Sequence, residues 1–148
     1  MDTRTGAHPG IVVGVDGSAS SREALAWALR QARLDGREVE AVIAWHLPPT
    51  SGWGGVPVPG SALEEAARET LAEAVDGERA AVPDVPVTRR VVEGNAGQVL
   101  VEASRGAGLL VVGCRGLGGM AGVLLGSVSR HCAEHAKCPV LVVRDGAA

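Results

Sequence analysis

Six glycines fall within the fifteen residues of GCRGLGGMAGVLLGS, positions 113–127. Ordering a glycine costs more backbone entropy than ordering any other residue, so such a cluster needs a use. Bare backbone lets successive N–H groups converge on an anion with no Cβ in the way. The segment follows the apolar run AGLLVV and precedes VSRHCAEHAKC, which reads as a helix starting near Gly126-Ser127. A helix start offers unpaired N–H groups and the positive end of the dipole. Ser127 and Ser129 add hydroxyl donors. Together these groups suit a phosphate chain.

Three established phosphate motifs can be tested against this spacing. A Walker A loop needs a Gly-Lys pair, and the chain has none. A dinucleotide fingerprint can be laid over Gly116-Leu117-Gly118-Gly119-Met120-Ala121. However, its helix does not start at that loop, and no acidic residue follows at the right distance. A kinase-type glycine loop lacks its Lys, HRD and DFG partners.

The surrounding elements set the position of this loop. GIVVGV reads as a buried strand, a short β-branched run without alternation. Ser20 with Glu23 matches a capping box, and Leu25, Ala28, Leu29 and Ala32 then recur at helical spacing up to Gly36. EVEAVIAWH is a second strand, followed by the Pro/Gly loop LPPTSGWGGVPVPG. Ser61 with Glu64 offers another capping box, opening a helix to about Gly77. VPVTRRVVEG alternates more and is expected nearer a sheet edge. Asn95 with Gln98 starts a third helix ending near Gly106. LLVVGC is the fourth strand, residues 127–136 the fourth helix and PVLVVR the fifth strand. Alternating strands and helices imply an α/β fold with a parallel sheet covered on both faces. Residues 1–9 read as a loose tail and 10–148 as one domain. In an open parallel sheet, ligands sit at the carboxyl ends of the strands where the strand order reverses.

Composition narrows the function classes. The net charge is −3 and no Lys/Arg cluster stands out, which disfavours nucleic acid. The chain has three Trp and no Phe or Tyr, so base-stacking platforms are scarce. No apolar run is long enough to span a bilayer, and no amino-terminal apolar region resembles a signal peptide. A cytoplasmic protein is expected. Cys114, Cys132 and Cys138 are odd in number and read as small apolar residues in a reducing compartment.

Other constellations are weaker. His131 and His135 stand one turn apart on one helix face, as in some zinc sites, but no third ligand is evident. A surface pair is the plainer reading. His46 follows the second strand, at the pocket rim or in solvent. Ser18, Ser20 and Ser21 form a turn with no nearby histidine, and no nucleophile–base pair is identifiable from spacing.

Gly113, two residues, Gly116, nine residues and Gly126-Ser127 form the pattern G-2x-G-9x-G-[S/T]. With VVGVDGSASSREALAWAL at one end and VVGCRGLGGMAGVLLGSVSRHCAEHAKCPVLVVR at the other, the chain resembles nucleotide-binding universal stress proteins over nearly its whole length. The resemblance implies a Rossmann-like fold of the adenine nucleotide alpha hydrolase kind, with five parallel strands in the order 3-2-1-4-5. It implies ATP between the first and fourth strands, with Mg or Mn on the phosphates. It implies a homodimer through the last strand, residues 139–144, opened by Pro139 and closed by Arg144. It also implies a regulator of the stress response without robust catalysis. A slow ATPase or adenylate transferase, or a nucleotide-free partner-binding module, are the alternatives.

The same resemblance carries roles to single positions. Asp16 would accept from the ribose or the adenine amino group; as a plain turn former it would make an Asx turn. Gly14 lies two residues before it, as pocket wall or packing glycine. Val42 and Val112 would contact adenine. Gly113 and Gly116 would bring main chain to ribose and phosphates, with Arg115 between them facing phosphate or water. Gly126, Ser127 and Val128 would close the motif, Ser127 also serving as a helix N-cap, and Ser129 would add a further phosphate contact. The extra glycines of LGGMAG raise the ordering cost on binding.

Overall fold

The computed structural model describes residues 9–47, 59–116 and 125–144. The expected tail, except Pro9, most of the Pro/Gly loop and the glycine-rich spacer 117–124 lie outside the described residues.

Five strands form one parallel sheet: β1 (Ile11–Gly14), β2 (Val39–Trp45), β3 (Val87–Glu93), β4 (Leu109–Gly113) and β5 (Val140–Val143). The strand order is β3-β2-β1-β4-β5. The chain winds outward from β1 through β2 to β3, then returns to β4 on the other side. The order therefore reverses between β1 and β4, and Val13 pairs with Val111 there. β3 is an edge strand, as its alternation suggests, and β5 is the other edge.

Four helices cover the two faces: α1 (Ala19–Asp35), α2 (Gly60–Arg79), α3 (Ala96–Ala103) and α4 (Ser127–His135). Ala24, Leu25, Ala28 and Leu29 of α1 and Leu71 and Val75 of α2 are buried against one face. Leu100 of α3 and Cys132 of α4 pack with Val12, Val42 and Val112 on the other. Side chains of β1 point to both layers, which is why IVVG is buried throughout rather than alternating. The core is built from aliphatic residues, each fully buried Leu contributing about 1.5–3 kcal/mol.

The helix ends match the sequence in part. Gly36 terminates α1 in the left-handed region at φ 69° and returns its N–H to Ala32. Asn95 caps α3 by accepting from the Gln98 amide. The cap of α1 is Ser18, not Ser20: its side chain accepts from the Ser21 amide. α2 begins after Pro59 with no side-chain cap, so the Ser61–Glu64 box does not form. α4 begins after Gly126, which makes Ser127 the first helical residue and not the N-cap.

Candidate functional site

A cleft of about 630 Å³ opens at the carboxyl ends of β1 and β4, where the strand order reverses. Gly14, Val42, Val112 and Gly113 line it from the strand ends. Asp16, Arg115 and Gly116 line it from the loops that follow β1 and β4. Gly126, Ser127, Val128 and Ser129 line it from the start of α4. All eleven residues singled out in the sequence thus border one cavity.

The start of α4 gives the cleft its polarity. Gly126 supplies no side-chain cap, and the first bond within this helix runs from the Arg130 amide to the Gly126 carbonyl at 3.0 Å. The amides of Ser127, Val128 and Ser129 precede that bond and lie at the positive end of the dipole. α1 and α3, by contrast, are closed by Ser18 and Asn95.

Asp16 makes the turn that its sequence context predicts and also borders the cleft. Its Oδ1 accepts from the Ser18 amide at 2.8 Å, which is the Asx turn. Its Oδ2 lies beside Gly116: a Cβ on Gly116 would come within 2.9 Å of it. One oxygen is committed to the turn while the other remains at the cleft wall.

Close approach, and not unusual torsion, calls for glycine at positions 113 and 116. None of Gly113, Gly116 and Gly126 has a positive φ. The bare side of Gly113 faces α1, where a Cβ would meet the Ser20 hydroxyl and lie 2.7 Å from the Ser20 carbonyl carbon. Its missing side chain thus serves packing against α1. Gly14 is similar, since a Cβ there would sit 2.6 Å from Leu100 Cδ1. A Cβ on Gly126 would make only ordinary contacts, the nearest at 3.4 Å.

Buried hydroxyls tie the two loops together. The Ser20 hydroxyl donates to the Arg115 carbonyl, and the Ser21 hydroxyl accepts from the Asp16 amide at 3.2 Å. Cys114 closes the neck of the glycine loop, its carbonyl accepting from the Gly126 amide at 2.7 Å and from Ser129 Oγ at 3.0 Å. Ser129 is a buried latch in this arrangement, its hydroxyl donating to the Cys114 carbonyl.

The cleft also contains residues that no motif marked. Ala44, Ala96 and Leu100 make an apolar wall beside Val42, contributed by β2 and α3. Ser21 and Arg130 border it as well. Apolar wall residues carry no chemical signature in a sequence, and Ser21 and Arg130 lie outside the glycine pattern. His46 is exposed and does not line the cleft.

The other constellations stay apart from it. The His131 and His135 rings stack on each other, 4.5 Å between centroids, and His131 packs over Gly97 of α3. Among the described residues, no three His, Cys, Asp or Glu side chains gather as metal ligands. The three cysteines are free. Burial, with a smaller effect of Cys138, pushes the Cys132 thiol up to about 11. No helix among the described residues is long and apolar enough to cross a membrane.

Comparison with known proteins agrees with this geometry. Residues 10–144 match the family model of the universal stress protein family. Universal stress protein Rv2623 of Mycobacterium tuberculosis (strain ATCC 25618 / H37Rv) is 40% identical over 135 residues, covering 91% of this chain and 45% of the relative. Universal stress protein Rv2005c of the same strain is 42% identical over 141 residues, covering 93% of this chain and 46% of the relative. The chain thus spans about half the length of these relatives. Among solved structures, a universal stress protein in complex with cAMP superposes with a TM-score of 0.71 at 34% identity, covering 93% of this chain and 98% of that one. The universal stress protein of Archaeoglobus fulgidus in complex with dAMP gives 0.68 at 25% identity, covering 92% and 98%. With its strand order, its cleft at the reversal point and a family match over 135 of its 148 residues, this chain belongs to the universal stress protein family.

Proposed function

We propose that this domain binds ATP in the β1/β4 cleft and acts as a nucleotide-responsive regulator in the stress response, not as a robust catalyst. The observation that carries the reading is the uncapped start of α4, facing Asp16 across a cleft with an apolar wall. Val42, Ala44, Val112 and Leu100 provide a slot for adenine. The Asp16 Oδ2 can accept from a sugar hydroxyl. The amides of Ser127 to Ser129, with the Arg115 guanidinium, would take the phosphates. The cAMP and dAMP complexes of relatives support an adenine nucleotide as ligand class.

A divalent ion, Mg or Mn, fits this site only as a passenger on the phosphates, because the described residues provide no ligand cluster of their own. Bound there, it would neutralise phosphate charge. The domain pairs with a second copy through β5 and works in the cytoplasm, where three free cysteines are at home.

A melting series tests the reading. Mg-ATP at about a hundred times its Kd adds roughly 2.7 kcal/mol of stability. No stabilisation by any adenine nucleotide at millimolar concentration would point to a nucleotide-free module. Sustained phosphate release over many turnovers, lost when Ser127 is replaced, would make the domain an ATPase.

A further inference from the structure

Arg130 stands outside the glycine pattern yet borders the cleft. It lies three residues beyond Ser127, about 4.5 Å further along the helix. Its side chain is exposed, and its guanidinium has no hydrogen-bond or ion-pair partner among the described residues. Only its amide is engaged, with the Gly126 carbonyl.

Among the described residues, the ionisable side chains lining the cleft are Asp16, Arg115 and Arg130. One anion faces two cations, in a chain whose net charge is −3. The Asp16 Oδ1 is engaged with the Ser18 amide, and its Oδ2 lies beside Gly116. Arg130 thus adds positive charge on the α4 side of the cleft, against the sign of the whole molecule. A single phosphate is served by the first amides of a helix. A second cation one turn along is useful only to a ligand with charge beyond that first phosphate.

We infer that Arg130 is a specificity-determining residue, which makes the cleft prefer nucleoside di- and triphosphates over monophosphates and cyclic monophosphates. The inference rests on the nucleotide reading above. It assigns a role that the amides and Asp16 leave open, namely the choice of phosphate chain length. Because Arg130 is exposed and Ala is an equally good helix former, Arg130→Ala leaves the fold intact.

Titration calorimetry on the wild-type chain and R130A decides the matter, with ATP, AMP and inorganic tripolyphosphate as probes at low and physiological salt. The expected result is a wild-type preference for ATP over AMP. In R130A, ATP affinity falls about tenfold, AMP stays within about twofold, and the salt dependence of ATP binding becomes shallower. Equal loss for ATP and AMP, or no loss for either, overturns the role of Arg130 while leaving nucleotide binding in place. If the wild-type chain binds no nucleotide but holds tripolyphosphate through Arg130, the ATP reading fails and the polyanion subsite stands. If it binds none of the three, both fall.

Discussion

The hydroxyl of Ser20 donates to the carbonyl of Arg115, joining positions 95 residues apart in the chain. The same hydroxyl lies within 3.4 Å of the Arg115 amide as an acceptor. Ser20 is 1% exposed, so this one group satisfies both polar atoms of a loop residue at the cleft. The first turn of α1 thereby holds the loop after β4, while neighbouring Ser21 holds Asp16.

Ser20→Ala removes this bond to the Arg115 carbonyl and leaves the weaker 3.4 Å contact from Ser18 Oγ in place. Losing a buried hydrogen bond of this kind costs about 1–3 kcal/mol. Urea unfolding of S20A measures it. A change below about 0.5 kcal/mol would mean that the loop keeps its place without this contact.

The two glycines flanking Arg115 should respond differently to the same substitution. At Gly113 a new methyl group meets backbone: the Ser20 carbonyl carbon at 2.7 Å and the Ser21 amide nitrogen at 2.8 Å. Backbone in a packed helix start cannot yield, so G113A loses about 1–3 kcal/mol of stability. At Gly116, among the described residues, the methyl meets only the end of the Asp16 side chain, which can swing away. G116A therefore folds within about 0.5 kcal/mol of wild type. Its cost appears in nucleotide affinity, about tenfold or 1.4 kcal/mol, because the displaced carboxylate no longer stands at the wall. Melting and calorimetry on the pair separate the two effects; equal destabilisation of both variants would remove the distinction.

Cys132 sets an alkaline limit on stability. Its folded thiol is raised from 9.0 to about 11 by burial and by Cys138. Between those values the unfolded chain releases the proton and the folded chain keeps it. Unfolding is then favoured as pH rises, by up to about 2–3 kcal/mol near pH 11. Below pH 9 the thiol is protonated in both states and contributes no slope. Cys132→Ala should flatten the fall in stability between pH 9 and 11, measured by urea unfolding. In native protein at neutral pH, iodoacetamide should reach half-buried Cys138 well before Cys132. A steep alkaline fall retained in C132A would assign it to other groups.

Much of this architecture was readable because its signals are local. The β-branched run of β1, the glycine stop at Gly36 and the Asn95 cap depend on neighbours within a few residues. The long glycine spacing marked the cleft because one loop supplies much of its rim. What stayed hidden was non-local. Ser20 matched a capping box with Glu23, but the hydroxyl is drawn to a loop that only tertiary structure brings near. Ser18 takes the cap instead. The bond from the Ser129 hydroxyl to the Cys114 carbonyl spans 15 residues and carries no local signal. Ala44, Ala96 and Leu100 are ordinary core types, and only the packing of α3 over β2 makes them cleft wall.

The proposed dimer makes a final prediction, argued from the backbone of β5. This strand is a sheet edge and is half-buried along its length. The carbonyls of Pro139 and Val143 accept from the amides of Leu110 in β4 and of Cys114 just after it. In a parallel pair, alternate residues point their amide and carbonyl groups to opposite sides, so Val140 and Val142 present theirs to the open edge. An open edge pairs readily with another strand. Val142→Pro deletes one outward N–H without removing a bond to β4, and proline is tolerated on edge strands. Sedimentation equilibrium should find the wild-type chain dimeric and V142P monomeric, with circular dichroism showing the variant folded. A wild-type chain that stays monomeric across concentration, or a V142P dimer of undiminished affinity, would place any self-association on another surface.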